Sequence, residues 1–218
     1  MSDIALVIPA RLGSTRLHRK ALADIEGQPM VVRVAQQAAK VPQIHRVLVA
    51  TDSQEISDAV SNAGFQAILT PVELNSGTDR VAWVAKDLNE KIIINLQGDE
   101  PVMHPDTIAA SVAAIRETDA PMGSAFTKFE SMEEAQNPSC VKVLMNLRFE
   151  AIYFSRHLIP FRQNKIDDEE LLHHPYWGKH MGIYSYQKDF LLRFPTLSPS
   201  LAERSESLEQ LRALHHGH

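Results

Sequence analysis

A chain of 218 residues that is 44% hydrophobic and 22% charged can bury one sizeable core, or form one domain carrying a lobe. Its 22 basic and 27 acidic residues leave a net charge of −5, which excludes a nucleic-acid binder working through bulk charge and leaves room for a small anionic ligand held by local cations. The single cysteine, Cys140, excludes an intrachain disulfide, reads as a buried small apolar residue and fits a reducing compartment. The first residues show no basic segment followed by a long apolar one, and no apolar run approaches a membrane span, so a cytoplasmic protein without membrane contact is expected. The histidines at 173–174 and 215–218 lack any HExxH or Cys/His framework, so they are not read as a metal site.

The first element is an apolar strand at 4–8, running straight into Pro9-Ala10-Arg11-Leu12-Gly13-Ser14-Thr15-Arg16-Leu17-His18-Arg19-Lys20. A buried strand whose carboxyl end opens into a basic loop with glycine and hydroxyls is where open α/β sheets hold phosphates. Backbone N–H groups and cations converge there on an anion. Neither GxxxxGK[ST] nor GxGxxG is present. The phosphate reading rests instead on cations that follow a buried strand immediately; the alternative is a solvated basic turn.

A helix is predicted at 30–39, a strand at 46–50, and a helix at 55–63 stopped by Gly64. Between them, Asp52 and Ser53 either face the upper edge of the sheet or cap the helix. A third strand at 65–69 leads to Asn75-Ser76-Gly77-Thr78-Asp79-Arg80 and a helix at 79–89. That turn either presents backbone groups to a nucleobase while Arg80 reaches a phosphate, or is a helix start capped by Thr78. The fourth strand, 92–96, ends in Gln97-Gly98-Asp99-Glu100-Pro101 before a helix at 105–117. Asp99 is the better candidate for Mg²⁺, whose other ligands come from waters and substrate phosphates. Glu100 is the better candidate for a helix cap.

This alternation implies a parallel sheet covered on both faces, with right-handed crossovers. Beyond about 121 the pattern changes to strands at 122–126, 141–144, 151–155 and 181–186, a polar, acidic, Pro-marked loop or lobe at 162–177, and a closing helix at 201–214. The expected fold is a Rossmann-like, doubly wound, mostly parallel α/β sheet. It forms one domain over 1–218, with a small inserted lobe at approximately 122–186.

Together these segments resemble the 3-deoxy-manno-octulosonate (Kdo) cytidylyltransferases. The matching pieces are Ile8-Pro9-Ala10-Arg11, Ser14-Thr15-Arg16-Leu17, Ala50-Thr51-Asp52, Ser76-Gly77-Thr78-Asp79-Arg80 and Gln97-Gly98-Asp99-Glu100-Pro101. Further on come Asn137-Pro138, Val141-Lys142-Val143, Tyr153-Phe154-Ser155-Arg156, His180-Met181-Gly182-Ile183-Tyr184 and Glu206-Ser207-Leu208-Glu209-Gln210-Leu211-Arg212. They run in family order through essentially the whole chain.

The resemblance implies a nucleotide-diphospho-sugar transferase type of fold and the reaction CTP + Kdo → CMP-Kdo + diphosphate, serving lipopolysaccharide synthesis. It also implies Mg²⁺, a homodimer, and a lobe used for sugar binding and dimerisation. Arg11, Ser14, Arg16 and Lys20 would hold the CTP phosphates, and Ser76, Gly77 and Arg80 the cytosine side. Pro9, Ala10, Asp52 and Gln97 would complete the nucleotide site. Asp99 would bind the metal and, with Arg11 and Lys20, carry catalysis. Gln97, Arg156, His180, Tyr184, Glu206 and Gln210 would line the sugar-acid pocket.

Two departures stand out. Where the family has Pro-Gly-Lys-Pro-Leu, this chain has His18-Arg19-Lys20-Ala21-Leu22, which keeps the lysine without the stiff proline and permissive glycine. The family's Val-Asp-Thr-Pro-Glu-Asp segment, whose aspartate is a second metal ligand, would fall beyond His218. A shortened chain with one metal carboxylate is therefore expected. The alternatives are a cytidylyltransferase for 8-amino-Kdo or sialic acid, and a nucleotide-binding homologue without turnover. A nicotinamide enzyme is disfavoured by the missing GxGxxG.

Overall fold

Strand β1, Ile4–Ala10, is buried along its whole length. The computed structural model describes residues 3–13, 19–163 and 166–218, so Ser14 and Arg16 lie outside the described residues. A short 3₁₀ turn at Lys20–Leu22 is followed by the small hairpin β2 (Asp24–Ile25) and β3 (Gln28–Pro29) and by helix α1 (Met30–Ala38). Next come β4 (Arg46–Thr51), α2 (Gln54–Asn62), β5 (Gln66–Leu69), α3 (Gly77–Ala85), β6 (Ile92–Leu96), α4 (Pro105–Arg116) and β7 (Met122–Thr127). The remainder comprises α5 (Met132–Gln136), β8 (Lys142–Met145), β9 (Ala151–Ser155), α6 (Asp168–His173), β10 (Trp177–Gln187), α7 (Lys188–Arg193), α8 (Leu201–Glu206) and α9 (Leu211–His215).

The chain divides into two compact units. One is Met1–Gly123 with Gly182–Pro195, the other Ser124–Met181 with Thr196–His218. In the first unit β1 pairs in parallel with β4 on one side and β6 on the other, and β5 extends the β4 edge, giving the order β5-β4-β1-β6. The second half of β10 adds an antiparallel strand beside β6, with Ile183 opposite Leu96. The expected Rossmann-like, mostly parallel sheet is what forms. Its order reverses at β1, which opens a crevice at the carboxyl ends of β1 and β6. Gly98 permits the close approach there, since a Cβ on it would stand 2.8 Å from the Pro9 carbonyl oxygen.

In the second unit β8 is the middle strand, antiparallel both to β9 and to the first residues of β10. Phe129, Met132, Leu171 and Trp177 form one apolar cluster, and the Trp177 indole donates to the Ile159 carbonyl at 2.7 Å. Val143, Met145, Phe154, Leu208 and Leu211 form another. The expected lobe at 122–186 falls mostly in this unit, which also takes in the C-terminal helices.

Several local expectations are corrected. Helix α3 is capped by Ser76, not Thr78, because Asp79 sits three residues on and closes a capping box. Helix α4 is capped by His104 rather than Glu100, the His104 ring nitrogen accepting from the Asp106 N–H. The segment read as a loop or lobe at 162–177 contains a short helix, α6, started by the Asp167 side chain. The single helix expected at 201–214 is two, because Ser207 takes a left-handed φ of 53° and ends α8. Among the described residues no helix is long and apolar enough to cross a membrane.

Candidate functional site

At the carboxyl ends of β1 and β6 lies a cleft of about 320 Å³. The strand end supplies Pro9, Ala10 and Arg11, the 3₁₀ turn Lys20, the start of α3 Ser76, Gly77 and Arg80, and the end of β6 Gln97 and Asp99. The structure thus gathers into one cleft most of the residues expected to bind nucleotide. Asp52 is not part of the lining, and Ser14 and Arg16 are outside the described residues.

Lys20 donates to the Asp99 carboxylate at 2.6 Å, joining positions 79 residues apart. Both side chains stay partly open, 34% and 49% exposed, so each can exchange its partner for a ligand. The turn holding Lys20 begins at Arg19, which adopts a left-handed φ of 58°. That conformation suits the glycine of the resembling family, and an L-residue takes it at a cost of about 1–2 kcal/mol. The Arg19 guanidinium in turn pairs with Glu55 at the start of α2.

The N-terminus of α3 faces the cleft with Ser76 and Gly77, and its partial positive charge favours an anion or a carbonyl acceptor. Gly77 packs on the Pro9 ring, where a Cβ would lie 3.2 Å away. Arg80, expected to reach a phosphate, is 2% exposed. Its guanidinium donates to Asp52 at 2.9 Å and also to the Thr70 hydroxyl. Asp52 is committed to this ion pair, while the neighbouring Ser53 caps α2. The pair works by holding the loop that carries Ser76 against β4. Sequence reasoning missed it because its partners lie 28 residues apart. Asn75, the first residue of the turn expected to face a nucleobase, also lines the cleft one residue before the cap.

Of the expected sugar-acid residues, Gln97 and Tyr184 belong to the first unit, where Tyr184 stands opposite Asn95 in the sheet. Arg156, His180, Glu206 and Gln210 belong to the second. There the Glu206 carboxylate accepts from the Ser155 hydroxyl at 2.7 Å and from the Arg156 N–H at 2.8 Å. The Arg156 side chain donates through Nε to the Glu206 carbonyl at 2.7 Å and through Nη1 to the Pro138 carbonyl at 3.2 Å. His180 Nε2 is 2.8 Å from the Ser124 hydroxyl, and its ring meets Phe154 edge-on. Burial pushes the His180 pKa down to about 4, so the imidazole is neutral near pH 7.

Among the described residues no group of three or more His, Cys, Asp and Glu side chains could hold a metal by itself. Asp99, half exposed in the cleft, fits a hard cation that arrives with substrate phosphates and takes one protein carboxylate.

A family model described as cytidylyltransferase matches residues 5–218. The 3-deoxy-manno-octulosonate cytidylyltransferase of Chlorobaculum parvum is 40% identical over 221 residues, covering 99% of this chain and 86% of its own. That of Neisseria meningitidis serogroup A is 41% identical over 223 residues, covering 100% and 88%. The solved structure of a CMP:2-keto-3-deoxy-manno-octonic acid synthetase complexed with CTP superposes with a TM-score of 0.88 at 40% identity, over 98% of this chain and 86% of that one. A cytidylyltransferase from Leptospira borgpetersenii, 16% identical with a TM-score of 0.59 over 100% of this chain and 74% of its own, shares the fold.

Proposed function

This chain belongs to the cytidylyltransferase family, and from that premise we propose that it activates Kdo, converting CTP and the sugar acid to CMP-Kdo and diphosphate for lipopolysaccharide synthesis. The observation that carries the reading is the convergence of Arg11, Lys20 and Asp99 on one cleft at the point where the sheet order reverses.

The anomeric hydroxyl of the sugar acid attacks the α-phosphorus, the new P–O bond forms, and the bond to the departing diphosphate breaks. The protein's task is positioning and charge neutralisation. Arg11 and Lys20 offset the negative charge gathering on the departing diphosphate. The α3 N-terminus with Ser76 offers donors to the base, its loop held still by the Asp52–Arg80 pair. Asp99 is the residue that would hold Mg²⁺, which when bound neutralises phosphate charge and can lower the pKa of a coordinated hydroxyl. Recognition of the sugar acid is assigned to Arg156, His180, Glu206 and Gln210 of the second unit. The exposed apolar side chains Leu147, Phe149 and Ile152 on the second unit support a homodimer. The reading includes the cytoplasm as its location.

The test is diphosphate release with CTP and Mg²⁺ across Kdo, 8-amino-Kdo and N-acetylneuraminate. Release with Kdo at the highest kcat/KM is expected. Preference for another acid would reassign the substrate, and CTP binding without release from any of them would leave a nucleotide-binding protein.

A further inference from the structure

Lys142 interrupts the apolar run Val141-Lys142-Val143-Leu144 on the middle strand of the second unit, and it is wholly buried. An ammonium there costs several kcal/mol unless its hydrogen-bonding capacity is saturated. It has three donors, and each finds a main-chain carbonyl: Arg156 at 2.5 Å, Cys140 at 2.7 Å and Asn137 at 3.2 Å. These acceptors belong to two separate segments, the turn entering β8 and the exit of β9.

The β9 exit is held from every direction at one residue. The Arg156 carbonyl takes the ammonium, its N–H goes to the Glu206 carboxylate, and its Nε goes to the Glu206 carbonyl. Its Nη1 returns to Pro138, in the same turn that Lys142 grips at Asn137 and Cys140. Its Nη2 reaches the Ser207 carbonyl at 3.5 Å, so these contacts fix the guanidinium plane and use three of its five N–H donors.

We infer that Lys142 is a positioning residue for the sugar acid: its buried ammonium locks the main chain at Arg156 onto the 137–140 turn and thereby sets where the Arg156 guanidinium stands. This rests on the reading of Arg156 as a sugar-acid residue given above. Lys142→Met removes every donor at similar volume, and Lys142→Gln keeps up to two.

The experiment measures kcat and both KM values for full-length wild type, Lys142→Met, Lys142→Gln, Arg156→Ala and the Lys142→Met/Arg156→Ala double variant. The expected result is an increase of about tenfold in the KM for Kdo in Lys142→Met, with the KM for CTP changed less than twofold. Lys142→Gln should fall between, and the double variant should be no worse than Arg156→Ala, because the two act through one group. Loss of folded protein alone would lower kcat and leave both KM values as they were, and that result overturns the inference. So does an equal rise in both KM values, or full additivity in the double variant. Should Lys142→Met not fold, Lys142→Gln carries the same comparison. If Arg156→Ala leaves the KM for Kdo unchanged, the underlying site reading falls. If Arg156→Ala raises it and the Lys142 variants do not, the inference alone falls.

Discussion

The ionic groups at the candidate phosphate site of the first unit and the candidate sugar-acid site of the second are deployed in opposite ways. In the first, Lys20 and Asp99 meet in an open cleft and keep much of their surface in water, and Arg11 beside them is exposed. In the second, Lys142 is sealed on three carbonyls, Glu206 is engaged by Ser155 and Arg156, and His180 is neutral against Ser124. The contrast suits the two substrates. A triphosphate carries enough charge to be captured by mobile, solvated partners and released again. A sugar acid has one carboxylate and several hydroxyls, so it needs donors and acceptors fixed in place before it arrives.

The strongest way to break this contrast is at Asp99. Asp99→Asn should reduce diphosphate release about 10²–10³-fold, as expected for loss of a group facing the transition-state charge; turnover near the wild-type rate would remove Asp99 from the mechanism. Next in size is Arg80→Met, which strands Asp52 and Thr70 beneath the Ser76 loop. Breaking a buried pair on one side should cost about 3 kcal/mol in a urea unfolding curve, with weaker CTP binding as a consequence. A loss under about 1 kcal/mol would show that the pair does not hold the loop.

Arg11→Ala probes the open cleft directly. Removing one charged donor should weaken CTP binding about tenfold by calorimetry, and wild type should lose more affinity than the variant as salt is raised. An unchanged dissociation constant would take Arg11 out of the phosphate site. The pH dependence of stability probes the second unit. His180 titrates near 6.5 when unfolded and about 4 when folded. Between those values the unfolded chain binds the proton that the folded chain refuses, so stability should fall as pH is lowered through that window. His180→Gln should flatten that part of the curve, at about 1.4 kcal/mol for each unit of displacement. A curve identical to wild type would show that the ring is not desolvated.

Much of the first unit was legible because its information is local. Ile4–Ala10 is an unbroken apolar run, Ile92–Leu96 is interrupted only by Asn95, and Gly64 ends α2 with a φ of 83°. The family resemblance rests on loops that leave such strands. Less legible were choices between neighbours of similar chemistry. Ser76 and Thr78 both offer a hydroxyl, and only the spacing to Asp79 decides the cap. The Glu- and Leu-rich stretch at 201–214 has the composition of one helix, yet the carboxylate of Glu206 is taken by Ser155 and Arg156 and the chain turns left-handed at Ser207.

The sequence by itself determined which segments become strands and helices around the cleft, and that cations and carboxylates stand at their ends, because apolar periodicity and turn chemistry act over a few residues. Only the tertiary structure decided that Lys20 answers Asp99, that Arg80 is spent on Asp52, and that Lys142 ends on Arg156. Strand order brings these distant positions within 3 Å, and at Arg80 and Lys142 burial makes an unpartnered charge too costly to keep.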